Sequence, residues 1–287
     1  MKKLPVSSSI NLHCHSKEDI SAYVRAGLEF NKKIGFDAVN MDLEQPLFDA
    51  DGWQPYIENA LKDSKEVGID IKTVHLPFVG GSVQKNEEFL ALFHQKMCRA
   101  IDGAKMLGVD YGIMHAIVPT LPMSRFDKKE QRELVLANLA PVVEYANKVG
   151  QKVIIENMRV TPHFVPSHRY CQDPVDLCDI ADTLGIGICW DFGHAHISGV
   201  KQSEGLAYVG KRLKMLHIND NIAFEDQHLL PFTGNIDWKD AMHGLALAEY
   251  DGLFNFEIAT GRLPACVREP FAQYIIKVAQ ELMSYIE

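Results

Sequence analysis

Six apolar runs in this 287-residue chain each finish on a side chain able to bind a metal ion. They are KTVHL at His75, GIMHA at His115, VIIEN at Glu156, ICWDFGH at Asp191 and His194, KMLHIND at His217, and LFNFEI at Glu257. Each run has the Val, Ile, Leu and Met content of a strand covered on both faces, so an ionisable group at its end either meets a partner or carries a large desolvation cost. A shared ligand removes all six costs at once. The pattern therefore points to one cluster of imidazoles and carboxylates at one rim of a parallel sheet, holding one or more divalent cations.

Glu156 and Glu257 weigh most, because each ends an almost wholly apolar strand; the plainer alternative is a buried ion pair with a neighbouring Lys or Arg. Asp191 and His194 are three residues apart, with Gly193 between them to let the backbone bend, and His196 beyond them reads as solvent-facing. His217 lies on its strand and Asp220 just past it, where a carboxylate is better placed to bond an imidazole or a substrate hydroxyl than a metal. Asp226 and His228 are two apart in a loop; if that loop is extended they point the same way and could ligate one ion.

The elements that must carry these groups alternate from end to end. SINLHC leads to a helix near Ala22 to Ile34, AVNMDL to Tyr56 to Val67, IDIKTVHL to Glu87 to Leu107, and YGIMHA to Lys128 to Val149. KVIIEN leads to Pro174 to Leu184, IGICWD to Glu204 to Lys211, LKMLHI to Trp238 to Ala248, and LFNFEI to Pro270 to Ile286. Helical connections return the chain to the same end, so the strands must be parallel, and eight such units close a single (β/α)8 TIM barrel spanning residues 1–287. Gly68, Gly108, Gly150 and Gly185 stand where left-handed helix caps are needed. All the candidate ligands fall at the C-terminal ends of the third to eighth strands or just beyond them, the rim where a barrel gathers its reactive groups.

The length suits one barrel, and 47% hydrophobic content can bury one large core. A net charge of -9, with no basic block, argues against nucleic acid as partner and for a small-molecule substrate. No apolar stretch approaches signal-peptide or membrane-span length, so a cytoplasmic protein is expected, with no membrane partner and with room for a homo-oligomer. Six scattered cysteines without a CxxC pair read as reduced core residues. Arg159, His163, His168 and Arg169 follow the fifth strand; they are either ordinary solvated loop residues or contacts to a phosphorylated or carboxylated substrate. Trp53 and Phe78 are candidates for an apolar wall against a small-molecule substrate, and Trp190 should point away from the barrel interior.

The ordered set Glu156, Asp191-x-x-His194, His217-x-x-Asp220, Asp226-x-His228 and Glu257 resembles the xylose isomerase-like TIM-barrel superfamily over nearly the whole chain. In its isomerase and epimerase branches the resemblance implies one Mn²⁺, Mg²⁺, Co²⁺ or Zn²⁺ held by Glu156, Asp191, His217 and Glu257. Glu156 and Glu257 would double as an acid/base pair working through a metal-stabilised enediolate, and His194 would hold a substrate hydroxyl. The activity implied is isomerisation or epimerisation of a sugar, keto-sugar or cyclitol, with a dehydratase on the same scaffold as an alternative. The type IV AP endonuclease branch implies a further alternative, a trinuclear-zinc phosphodiesterase whose cluster matches His75, His115, Glu156, Asp191, His194, His217, Asp226, His228 and Glu257. A non-catalytic sugar-binding barrel completes the alternatives. Two departures from the pattern stand out: Phe232 occupies the usual glycine position of the turn after Asp226-x-His228, and no Lys or Arg lies between His217 and Lys239, where some ketose epimerases place an arginine.

Overall fold

The computed structural model describes residues 3–9, 13–14, 17–49, 51–79, 86–161, 166–260 and 263–286. Eight parallel strands form its centre: β1 Val6–Ser8, β2 Ala38–Leu43, β3 Asp70–His75, β4 Tyr111–Met114, β5 Val153–Glu156, β6 Gly187–Asp191, β7 Leu213–His217 and β8 Phe254–Phe256. Each pairs with the next in chain order, and β8 returns to β1 with Val6 opposite Phe254. Between β7 and β8 the ladder is a single bridge, where Ile218 N–H donates to Asn255 O (2.8 Å) and Glu257 N–H donates to Ile218 O (3.1 Å). The expected barrel is therefore present, and that bridge fixes the height of Glu257 beside His217.

Around it lie α1 Lys17–Ile34, α2 Gln54–Val67, α3 Glu87–Leu107, α4 Lys128–Val149, α5 Pro174–Leu184, α6 Phe192–Ile197, α7 Gln202–Val209, α8 Trp238–Leu247 and α9 Ala265–Ser284. Their apolar stripes explain the packing: α3 buries Phe93, Met97, Ala100, Ile101, Ala104 and Leu107, the 3–4 spacing of one helix face. The same helix opens on Asn86, which accepts from Phe89 N–H, and stops at Gly108 with φ 73°. All four glycines expected as caps have left-handed φ. Among the described residues no helix is long and apolar enough to cross a membrane.

The first strand differs from expectation. It is Val6–Ser8 rather than SINLHC; residues 10–12 of that run lie outside the described residues, and His13–Cys14 only extends the pairing along Asp42–Leu43. The missed signal is polar: Ser7 Oγ donates to Asn255 Oδ1 of β8 (2.9 Å) and Ser8 Oγ to Asn31 Oδ1 of α1 (2.6 Å), so these buried serines are satisfied by a neighbouring strand and helix and leave no hydrophobic trace. The short helix α6 was not expected either.

Ile113, Ile154, Cys189 and Met215 form a small apolar cluster separate from the main core. Each precedes a candidate ligand by two residues, namely His115, Glu156, Asp191 and His217. Strand side chains two apart point the same way, so this cluster is an apolar layer directly beneath the ligand layer. Trp190, one residue out of phase, points outward as expected: its Nε1–H donates to Gln202 Oε1 (2.9 Å) at the start of α7.

Candidate metal centre and active site

Glu156 stands at the middle of the cluster. From the end of β5, its Oε2 lies 3.4 Å from His75 Nε2, 3.3 Å from His115 Nε2 and 3.1 Å from His217 Nδ1, while Oε1 lies 3.2 Å from His194 Nδ1. Glu257 approaches the same His217 Nδ1 at 3.1 Å. Donor atoms of Glu156, Asp191, His217 and Glu257 all lie within 4.8 Å of one another, and a second such group is His75, His115 and Glu156. Further out, Asp226 bridges two imidazoles, with Oδ2 3.3 Å from His194 Nε2 and Oδ1 3.4 Å from His228 Nε2.

The donors fit a divalent cation better than they fit each other. Glu156 Oε2 and both nitrogens of His217 are buried without a hydrogen-bond partner, although His217 Nδ1 stands only 3.1 Å from a carboxylate oxygen of each glutamate. Polar atoms so placed are costly unless something else satisfies them. Ligands about 2.1 Å from a tetrahedral or octahedral ion stand roughly 3.0–3.4 Å apart, the spacing His217 keeps to both glutamates. Neighbouring groups hold the donors in position. Asn157 Oδ1 accepts from Asp191 N–H (2.6 Å) and its Nδ2–H donates to Asp191 O (2.9 Å), while Asn219 donates to Asp191 Oδ2 (2.7 Å). His75 Nδ1 faces Leu76 O (2.7 Å), which directs Nε2 to the cluster.

Burial disfavours charge throughout, and neighbours decide the outcome group by group. It pushes Asp191 up to about 6 and His115 down to about 4. For His194 the opposing pull of Asp191 and Asp226 wins, and for His217 that of Cys189, Glu257 and Glu156, so both imidazoles stand well above the usual histidine range. His228, beside Glu257 and Asp226, is raised to about 10. Against its own burial, the His217 and His115 imidazoles hold the Glu156 carboxyl well below the usual range.

Most sequence candidates are thus brought together, for reasons that sometimes differ from those expected. Asp226 and His228 do meet, but not through an extended loop: His228 has φ 47°, and Ala223 and Phe232 in the same loop also have positive φ. Gly193 lies inside α6 and is needed for space rather than for bending, since a Cβ there would fall 2.0 Å from Asn219 Oδ1. Asp220 is not turned to the cluster. Fully buried, it accepts N–H bonds from Asn221, Phe232, Ile236 and Trp238 Nε1, which occupies its carboxylate in holding the β7–α8 loop. His196 bonds Asn235 Oδ1 (2.6 Å).

Phe78 does border the cluster, its ring 5.4 Å from that of His75 and 5.1 Å from that of His115, whereas Trp53 is a core residue against Phe48. His163 lies outside the described residues. Sequence reasoning missed Asn157, Asn219 and the buried Cys189, whose thiol is grouped with Glu156 and His217. The asparagines had a usable signal, since they follow ligands by one and two positions in EN and HIN. A cavity of about 780 Å³ opens beside His228 and Glu257, lined also by Tyr23, Phe30 and Arg268.

A family profile described as xylose isomerase-like TIM barrel matches residues 28–280. An uncharacterised protein of Methanocaldococcus jannaschii, MJ1311, is 28% identical over 224 residues, 75% of this chain and 72% of that protein. Among solved structures, a D-tagatose 3-epimerase-like protein superposes with TM-score 0.72 at 21% identity, covering 99% of this chain and 98% of its own. The D-allulose 3-epimerase of a Methylomonas species gives 0.75 at 14% identity (98% and 99% covered), and the 3-keto-D-glucoside 4-epimerase of E. coli gives 0.73 at 17% (97% and 100%). These likenesses establish the fold, and with the profile spanning most of the sequence, the chain belongs to the xylose isomerase-like TIM-barrel family.

Proposed function

We propose that this protein is a metal-dependent isomerase or epimerase of a sugar, keto-sugar or cyclitol. The observation that carries the reading is the approach of two carboxylates, Glu156 from β5 and Glu257 from the end of β8, to one imidazole nitrogen at 3.1 Å each. The epimerases among the structural neighbours support it. A divalent ion held by Glu156, Asp191, His217 and Glu257 would acidify the C–H bond beside a substrate carbonyl. The two glutamates exchange the proton at that carbon, one removing it from one face and the other returning it to the opposite face. His194, oriented by Asn157 O at Nδ1, holds a substrate hydroxyl through Nε2, displacing Asp226 from that atom. Phe78 offers an apolar surface to the sugar, and the apolar layer beneath the ligands keeps water from the barrel side.

The test is transfer of solvent deuterium into a panel of ketoses and inososes by protein reconstituted with Mn²⁺, Mg²⁺, Co²⁺ or Zn²⁺. The reading predicts exchange at one α-carbon; absence of exchange from every substrate with every metal would overturn it. One observation favours a second reading. His75, His115 and Glu156 form one donor group and His194, Asp226 and His228 meet in another, so the cluster has donors for more than one ion, as hydrolysis of a phosphodiester by several zinc ions requires. Three zinc ions per chain with cleavage of a model diester and no proton exchange would establish that alternative.

A further inference from the structure

The loop after β5 holds two arginines beside the cluster with too few carboxylates to pair them. Arg159 Nε donates to Asp226 Oδ2 (3.1 Å), and Asp226 already faces His194 and His228. Arg169 has no ion pair and no side-chain hydrogen bond among the described residues, and its Nε is shielded from solvent without a partner. Shielding the Nε edge of a guanidinium from water without a partner is costly, and a second guanidinium nearby adds to the cost. Burial and then Arg159 push Arg169 down to about 10, so it remains a cation at neutral pH, with Asp226 and Glu156 pulling the other way.

The loop is built to hold this arrangement. Thr161 bridges Ser167, and Ser167–His168 pairs with Leu121–Pro122 from the loop after β4. Gln172 accepts from Arg169 N–H (3.4 Å) and reaches His168 Nδ1 (2.8 Å) with its amide. Cys171, at φ 69°, accepts from Met158 N–H (2.8 Å), which ties the far end of the loop to the end of β5. A backbone pinned at this many points fixes the position from which the Arg169 side chain extends. Once the cluster carboxylates are engaged with cations, Arg159 and Arg169 are left as a net positive pair beside them.

We infer that Arg159 and Arg169 form an oxyanion subsite, so that the substrate carries a phosphate or carboxylate group remote from the carbon whose proton is exchanged. The inference rests on the isomerase reading for what happens at the cluster, but not for the binding itself. Two guanidinium forks match the oxygens of either anion, and an uncharged sugar would leave both unsatisfied.

The experiment measures binding to metal-loaded protein by calorimetry, using D-fructose, D-fructose 6-phosphate, D-glucuronate and inorganic phosphate. The phosphorylated sugar or the glucuronate should bind at least about tenfold more tightly than fructose, and whichever gains more identifies the anion. Arg169→Gln should abolish that gain while leaving fructose affinity unchanged, and Arg169→Lys should retain part of it. Equal affinity for charged and uncharged sugars in the unaltered protein overturns the inference, as does failure of every anion to bind, or full retention of the gain in Arg169→Gln. Arg169-dependent binding of an abasic DNA duplex but of no sugar anion overturns the small-molecule assignment. Deuterium exchange separates the two claims: anion binding through Arg169 without exchange sinks the isomerase reading alone, and exchange on free sugars without anion preference sinks the subsite alone.

Discussion

Glu156→Gln is the perturbation with the widest predicted consequence, because Glu156 belongs both to the group with Asp191, His217 and Glu257 and to the group with His75 and His115. The substitution keeps shape but removes a charge facing four imidazoles at 3.1 to 3.4 Å. Changing a residue that merely orients a ligand costs 10–100-fold in metal affinity, so loss of a shared ligand should cost at least about 100-fold. Loss of a proton-transferring carboxylate adds about 10²–10⁴ in rate. Together these put the exchange rate down by roughly 10⁴ or more.

Stability of the metal-free protein provides an independent readout. His194 and His217 have raised values, so their attraction to carboxylates is fully present below the ordinary histidine range and is lost as pH rises through the raised values. The variant should therefore unfold more easily by about 3 kcal/mol at pH 6 and by less at pH 9. Elemental analysis, deuterium exchange and urea titrations at the two pH values read all three effects. A Glu156→Gln protein with unchanged metal content and exchange rate would refute the reasoning, and a stability loss that grows with pH would refute the charge argument.

Metal affinity should fall on acidification, because Asp191 protonates near 6 and the His217 imidazole holds its proton well above the usual histidine range in the metal-free protein, and both protons must leave before the atoms can ligate; calorimetry in buffers of different ionisation heat should show proton release, and pH-independent affinity would contradict this. Asp220→Asn should cost about 3 kcal/mol, since an amide cannot accept from all four N–H donors, while Michaelis constants change little once the protein is folded. A large rise in KM without destabilisation would restore the substrate role expected from sequence. Phe232→Gly should raise the thermal midpoint, by relief of about 1 kcal/mol of left-handed strain at φ 73°, and a lower midpoint would show that the Phe232 side chain contributes more than its backbone costs.

The barrel was legible because most of its strands are apolar up to a ligand and α2 to α5 stop at left-handed glycines, both local signals. The ligand set was legible for the same reason: a charge ending an apolar run stands out. Legibility failed where polar groups satisfy one another. Ser7, Ser8 and Asn255 make a barrel wall without hydrophobic periodicity, and Asp220 looks like a site residue until its four donors, three of them 12 to 18 positions away, are known. Gly193 was recognised as necessary but for the wrong reason, since crowding by Asn219 is a long-range contact with no trace in the local sequence. Arg169 could be placed in a loop after β5, but its lack of a counter-charge is a property of the fold.

The most direct measurement is anomalous diffraction from crystals of the metal-loaded protein. The account predicts a peak within about 2.0–2.3 Å of Glu156, Asp191, His217 and Glu257 together. A fully loaded protein whose ions all lie elsewhere, with Glu156 and Glu257 touching no common centre, would contradict it.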